Sequence, residues 1–437
     1  MTRRILFRGA LLLDPQSATE TIGDVIVEHG MIAAIGQLLA ADGLDPQTEI
    51  VDCQGLALAP GLIDMRVITG EPGLEHKETL ASASRAAAAG GVTSIVVMPD
   101  TDPVIDDAAL VDFINRRARA TAQVRVYPAA ALTKGLNGRQ MAEIGLMAEA
   151  GAVLASNGSQ SIADSRVMRR ALSYANGVRP GGMLVAHRPE DPSLAGGAMH
   201  EGELSARLGV PGIASVAETI MLYRDLVLAE VTGARLLADQ ISTRGAVDLL
   251  AGAKHRGARA AASVSINHLA LNEIDVGEYR TFAKLSPPLR AEEDRQALVA
   301  GLRDGVVDVI VSGHAPQPAE DKRLPFDEAA FGAAGLESLI PGAMMVHNDG
   351  DVPLTTLIRA MTLRPAELLG LEQGRLAVGR PADLCLFDPG RPFIFDVYKL
   401  KSRSKNSPFD RKRMQGRVVR TYVGGSMVYP ERAEDHS

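Results

Sequence analysis

The sequence predicts an α/β fold: a (β/α)8 TIM-like barrel carrying a small composite β-sandwich domain contributed by the two termini. Three observations point there. From residue 60 onward, short apolar β-rich runs alternate with Ala-rich helical stretches, the rhythm of parallel βα units. Eight such runs occur, the last ending at Val311. On both sides of them the texture changes to short alternating strands punctuated by Gly and Pro, and two β segments flanking a barrel pair naturally into one sheet domain.

Taken in order, the N-terminal segment reads as strands over Ile5–Leu13, Asp24–Glu28 and Met31–Ile35. His29-Gly30 lies between two alternating runs and marks a tight hairpin, which makes His29 a turn residue. Barrel strands are expected at Leu62–Val67, Ser94–Met98, Arg125–Ala131, Ala152–Ala155, Met183–Ala186, Arg235–Ala238, Ala261–Ser265 and Val307–Val311. The longest insertion, between Arg188 and Arg235, holds a Gly-rich loop and a helix. After about residue 370, GRLAVGRPADLCLFDPG and GRVVRTYVGGSMVYP read as further strands. The expected division is 1–58 and 371–437 for the sandwich and 59–370 for the barrel, with a frayed tail after Pro430.

A chain of 437 residues suffices for one large domain with an appendage. Hydrophobic content of 46% and charged content of 23% are those of a soluble globular protein. The net charge of −7 argues against nucleic acid or an acidic membrane as partner. Cys53 and Cys385 form no CxxC pattern, which fits a reducing compartment. The basic, briefly apolar N-terminus is interrupted by Asp14 and Pro15 with no small-residue cleavage site, and no apolar run approaches the roughly 20 residues of a membrane span. The expected location is the cytoplasm.

The stretch PGLIDMRVITGEPG (60–73) resembles the opening barrel strand of dihydroorotases and other cyclic amidohydrolases, in which Pro-Gly and an apolar strand lead to Asp-x-His-x-His. Further stretches carry the same resemblance, among them AAAAGGVTSIVVMPDTDPVID (86–106), EGELSARLGVPGI (201–213), SPPLRAEEDRQAL (286–298) and GHAPQPAEDK (313–322). It extends to the longer, bacterial-type dihydroorotases over nearly the whole chain and implies an amidohydrolase-type barrel. Such enzymes hold two divalent metals, usually zinc, that polarise a ring carbonyl and lower the pKa of a bridging water. An Asp at the end of the last barrel strand is both ligand and proton shuttle.

Carried over residue by residue, the resemblance finds that chemistry depleted. The two His positions of the first strand hold Arg66 and Ile68, and the bridging carboxylate aligns with Asn157. The His of the fifth strand is kept as His187, that of the sixth becomes Gln240, and the catalytic Asp becomes Gly313. One of six ligand positions is retained. In the implied substrate pocket, Gly70 stands for the carboxylate-binding Arg, Asp100 and Ser286 for Asn, and Gln317 for His, while Phe331-Gly332 is intact. Asp100 would repel an anionic substrate.

Arg66 admits two readings: its guanidinium replaces the lost metal charge by pairing with Asp100 or another acid at the barrel mouth, or it snorkels to solvent. His187 and His314 are expected to face the pocket in packing and hydrogen-bonding roles, because a lone imidazole cannot fix zinc. His268 reads as a strand-end structural residue and His76 as a brace for the first barrel helix; His200, His255, His347 and His436 occur singly. Both cysteines are expected in the core. No G-x-S-x-G elbow, P-loop, CxxC or HExxH supplies another chemistry, which leaves a metal-free acid site of Asp100, His187 and Arg66 as the one substitute.

By resemblance to inactive dihydroorotase homologues that accompany aspartate transcarbamoylase, the expected function is that of a pseudoenzyme. It would be a structural or regulatory partner of the transcarbamoylase catalytic subunit in pyrimidine biosynthesis, without metal and homo-oligomeric. The alternative is an active, zinc-dependent dihydroorotase or related cyclic amidohydrolase with a non-standard site.

Overall fold

The computed structural model describes residues 4–39, 46–350 and 352–430. His436 and the tail after Pro430 therefore lie outside the described residues. The N-terminal strands are β1 (Ile5–Asp14), β2 (Thr19–Glu28), β3 (Met31–Gly36), β4 (Glu49–Asp52) and β5 (Ala57–Pro60). The barrel is built from β6 (Leu62–Val67), β7 (Val92–Val97), β8 (Arg125–Ala131), β9 (Leu154–Ser156) and β10 (Leu184–His187). A two-stranded ladder, β11 (Met199–His200) and β12 (Gly212–Ile213), lies in the long insertion before β13 (Leu236–Ala238), β14 (Ala260–Ser265) and β15 (Val309–Val311). The chain ends with β16 (Leu384–Asp388), the short pair β17 (Phe393–Ile394) and β18 (Arg413–Met414), then β19 (Arg417–Val423) and β20 (Ser426–Tyr429).

The eight barrel strands pair in parallel in chain order from β6 to β15, and a bridge from Val67 to His314 closes the ring. β6 and β7 are buried at every position, as strands covered on both faces must be. Ile63, Met65, Val96, Leu184, Leu237 and Val309 fill the interior, joined by Ala366 and Leu369 of the helix Leu363–Leu369. Alternate residues such as Leu62, Ile95 and Val97 pack outward on the helices. Helix starts follow from local chemistry: Thr79 caps Leu80–Ala89, Asp107 caps Ala108–Thr121 and Asp164 caps Ser165–Gly177. Thr79, with Ser82, does the work the sequence suggested for His76, which is exposed.

The terminal segments form one continuous sheet, in the order β20-β19-β16-β5-β1-β2-β3 with β4 beside β1. The join is β5 against β16, antiparallel. At the expected hairpin His29 and Gly30 have φ of 53° and 77°, the left-handed pair of a two-residue turn. This sheet encloses its own core of Phe7, Val25, Leu58, Leu386 and Tyr422, with Phe7 and Tyr422 edge to face at 5.0 Å. Cys53 and Cys385 are buried free thiols. Among the described residues no helix is long and apolar enough to cross a membrane.

Sheet and barrel are tied at Asp383, whose buried carboxylate accepts from Arg125 Nε at 2.7 Å, Arg125 Nη2 at 3.2 Å and the Gly424 amide at 2.7 Å. Removing it strands a partly buried cation and an amide. Asp383→Ala is expected to cost about 2–3 kcal/mol, and Asp383→Asn less, as measured by urea unfolding.

Candidate functional site

The C-terminal ends of the barrel strands converge on a polar cavity of about 380 Å³. Its wall contains Arg66, Ile68, Gln240, Ser286, Gly313, Gln317, Phe331 and Gly332 among the sequence-singled residues, together with Arg188, Glu190, Ser265, Asn267 and His268. Asn157, His187, Gly70 and Asp100 are not part of that wall.

Arg66 owes its position to an irregularity in β6. Between Asp64 and Val67 the strand carries one residue more than β7 opposite, a bulge that re-aims a side chain. Arg66 Nε donates to Asp239 Oδ2 at 2.7 Å, and both side chains are 3% exposed. Ser263 Oγ donates to the other carboxylate oxygen at 2.9 Å. Of the two readings of Arg66, pairing is therefore the one observed, and the partner is Asp239 rather than Asp100. Asp100 instead seats Oδ1 on the Ser159 amide at 2.8 Å, against the turn at Gly158. The repulsive role assigned to it has no basis in the cavity wall.

Asn157 is absorbed in a loop. Its Oδ1 accepts from Thr133 Oγ1 at 2.7 Å, and its Nδ2 donates to the carbonyls of Leu136 and Gln160, both at 3.1 Å. A carboxylate could not make those two donations. His187, expected to face the pocket, is fully enclosed behind it. Nε2 accepts the Ile162 amide at 2.9 Å, which puts the proton on Nδ1, 2.6 Å from Asp225 Oδ2. Asp225 Oδ1 is in turn held by Arg224 Nη2 at 2.6 Å. Both imidazole nitrogens are engaged, so no lone pair remains for a metal. His314 is likewise buried outside the wall, its Nδ1 accepting from the Gly335 amide at 3.2 Å. The proposed acid site of Asp100, His187 and Arg66 is not assembled.

Two glycines are locked in as glycines. At Gly313 φ is +66°, and an added Cβ would lie 2.7 Å from Ser265 Oγ and 3.1 Å from Gln240 Nε2. The place that the resemblance gives to an Asp is thus already filled. Gly70, at φ +73°, closes a turn with Leu74, and a Cβ there would meet the Leu74 carbonyl oxygen at 2.7 Å. Neither position accepts a larger side chain without moving backbone or its polar neighbours.

Some other polar groups of the wall are bound to protein neighbours, while Arg188 Nε, Gln240 Oε1, Asn267 Oδ1, His268 Nδ1 and Gln317 Oε1 have no hydrogen-bond partner. Arg188 Nη2 donates to Glu190 at 2.7 Å and to Ser286 Oγ. Gln317 Nε2 donates to the Phe331 carbonyl at 2.8 Å, and Lys284 Nζ stands 4.5 Å from the Phe331 ring centroid. His268 is not at a strand end: it sits on the short helix Ile266–Ala270, in the wall, with Nε2 3.1 Å from the Pro287 carbonyl. Burial pushes its pKa down to about 4. Sequence reasoning missed Asp239, Asp225, Arg188 and Glu190. Asp239 was visible as the neighbour of Gln240, but nothing in the sequence shows that it turns towards β6.

The zinc pair implied by the resemblance does not fit these residues. Among the described residues no three His, Cys, Asp or Glu side chains converge as metal ligands. The wall offers one imidazole, His268, and one carboxylate, Glu190, already paired with Arg188. A guanidinium and a dication about 4 Å apart repel by about 8 kcal/mol at an effective dielectric near 20. Asp239 cancels the charge of Arg66, so the pair offers a dication no net attraction.

Comparison with known proteins decides the family. A profile described as Dihydro-orotase-like matches residues 55–246. The chain is 40% identical over 428 residues to a dihydroorotase of Syntrophus aciditrophicus, covering 98% of this chain and 100% of that protein. It is 40% identical over 427 residues to a dihydroorotase of Citrifermentans bemidjiense, covering 97% and 99%. The chain belongs to the dihydroorotase-like family. Among solved structures, L-hydantoinase (dihydropyrimidinase) from Arthrobacter aurescens superposes with a TM-score of 0.87 at 24% identity, over 98% of this chain and 96% of that one. Dihydropyrimidinase from Brevibacillus agri NCHU1002 gives 0.82 at 21%, over 98% and 95%. These likenesses establish the amidohydrolase-type barrel with its β-rich domain.

Within this dihydroorotase-like barrel, Arg66→Ala would leave Asp239 buried and unpaired, at an expected cost of about 3–5 kcal/mol in urea unfolding. The double change Arg66→Met with Asp239→Asn should recover most of it. His268 supplies a pH signature. The unfolded chain protonates near pH 6.5 while the folded one stays neutral to about 4, so the His268 contribution is full above 6.5 and is lost as pH falls towards 4. His268→Gln should flatten the stability profile across that window.

Proposed function

We propose that this member of the dihydroorotase-like family is non-catalytic and acts in the cytoplasm as a structural or regulatory partner of the aspartate transcarbamoylase catalytic subunit. The observation that carries the reading is the composition of the cavity wall. One neutral imidazole and one neutralised carboxylate face two guanidinium groups, where hydrolysis of a cyclic amide needs several anionic or imidazole ligands and a base. Gly313 supplies no side chain where that base is expected. A frame retained around such a mouth fits a protein used for its surface. The partner itself comes from the family resemblance of the motifs.

The second reading is an active metal-dependent dihydroorotase or related cyclic amidohydrolase with a non-standard site. The relatives favour it, since proteins named dihydroorotase match at 40% identity along essentially the whole chain. On either reading the chain is a cyclic amidohydrolase homologue of the pyrimidine pathway.

The two readings separate in one preparation. The chain is purified with zinc present, assayed for ring-opening of dihydroorotate, and co-expressed with the transcarbamoylase catalytic subunit. The expected outcome is no turnover above background and a co-purifying complex with altered transcarbamoylase activity. Turnover that a chelator abolishes and zinc restores would establish the second reading. Absence of both turnover and complex would remove the partner.

A further inference from the structure

Thirteen buried side-chain polar atoms among the described residues have no hydrogen-bond partner, and five of them belong to the wall of the barrel-mouth cavity. Such atoms are costly wherever they occur, so their gathering at one place points to a ligand rather than to scattered packing faults. Neighbouring bonds fix what most of the five offer. Asn267 Nδ2 donates to Ser265 Oγ at 2.9 Å and Gln317 Nε2 to the Phe331 carbonyl at 2.8 Å, so the free atom of each amide is its carbonyl oxygen. His268 Nε2 lies 3.1 and 3.2 Å from the carbonyls of Pro287 and Pro288. The ring proton therefore sits on Nε2, and Nδ1 is a bare lone pair. Gln240 hydrogen-bonds through its backbone amide alone, to Ser263 Oγ at 2.8 Å, and neither end of its side-chain amide is engaged. Its φ of 57° is uncommon for a residue that carries a side chain. Three fixed acceptors and one free amide thus accompany a single orphan donor, Arg188 Nε. Arg66 supplies further donors, since it pairs with Asp239 through Nε and its terminal nitrogens have no protein acceptor.

The wall has no charge to spare. Arg66 is matched by Asp239 and Arg188 by Glu190, and burial keeps His268 neutral. An anion would find no unmatched cation here and would face the acceptor lone pairs, while a cation would face two guanidinium groups. We propose that the cavity binds a small uncharged ligand that presents several N–H or O–H donors together with a carbonyl or hydroxyl oxygen. Its donors answer Asn267, His268 and Gln317, and its oxygen answers Arg188 and Arg66. Ile68, Leu285 and Phe331, also in the wall, pack against its less polar faces. The orphan atoms are nearly covered by their neighbours, so the ligand engages them as the Gln240 and Gln317 side chains turn on their own bonds. The inference rests on the non-catalytic reading of the mouth and assigns that mouth a ligand.

Calorimetric titration of the full chain with matched pairs of probes tests it. Uracil and orotate share a ring and differ by a carboxylate; ribose and ribose 5-phosphate differ by a phosphate. Uracil or ribose should bind with a Kd below about 1 mM, and more tightly than its charged counterpart. Whichever of the two binds shows whether ring N–H groups or hydroxyls supply the donors. Gln240→Met and Gln317→Met keep the side-chain length, remove an amide each, and should weaken that binding about tenfold with an unchanged circular dichroism spectrum. If a variant misfolds, the matched pairs on the wild type decide alone. Neither uncharged probe binding within that limit, a charged counterpart binding as tightly, or both folded variants binding like the wild type would overturn the proposal. Ring-opening of dihydroorotate, assayed separately, would instead overturn the non-catalytic reading, and none of the four probes reports on it.

Discussion

One guanidinium and one carboxylate, buried against each other across the barrel mouth, set what the cavity can hold. Arg66 reaches Asp239 because β6 bulges where it reaches the mouth, and Asp239 is held ready by the Ser263 hydroxyl. Both side chains are screened from solvent, so each depends on the other for a partner. The space around that pair is occupied by further side chains. Gln240 and Ser265 close over the space beside Gly313, and Arg188 is tied to Glu190 and Ser286.

The scaffold around the pair is that of a cyclic amidohydrolase, and some of the positions it keeps have a structural task. Asp64 illustrates this. It is fully buried, accepts from the backbone amides of Arg66 and Ser312, and burial pushes its pKa up to about 6. It joins the first barrel strand to the last whatever occupies the mouth. His187 is similar: it pins the loop after β9 through Ile162 and the long insertion through Asp225. In this structure these two residues hold the ring closure and the neighbouring loops.

The fold was legible because it rests on periodicity. All eight barrel strands lie where apolar β-rich runs alternate with helices, and the His29-Gly30 hairpin follows from turn chemistry alone. The flanking sheet was legible from texture, although only the structure shows that β5 and β16 make the join. The site was legible in part. Ile68, Gln240, Gly313, Ser286, Gln317, Phe331 and Gly332 do meet around one cavity, since they end neighbouring strands or begin the loops that follow. Side-chain direction was not legible. His187 ends a strand and Asn157 and Asp100 follow strand ends too, yet hydrogen bonds to backbone turn them away. Asp239, one residue from a singled-out position, turns in.

The central claim concerns metal, and it is read most directly by anomalous diffraction at the zinc edge from crystals grown with excess zinc. The account predicts no anomalous peak within the barrel mouth and an intact Arg66–Asp239 pair. A pair of strong peaks between β6, β10 and β13, with Arg66 displaced from Asp239, would contradict it.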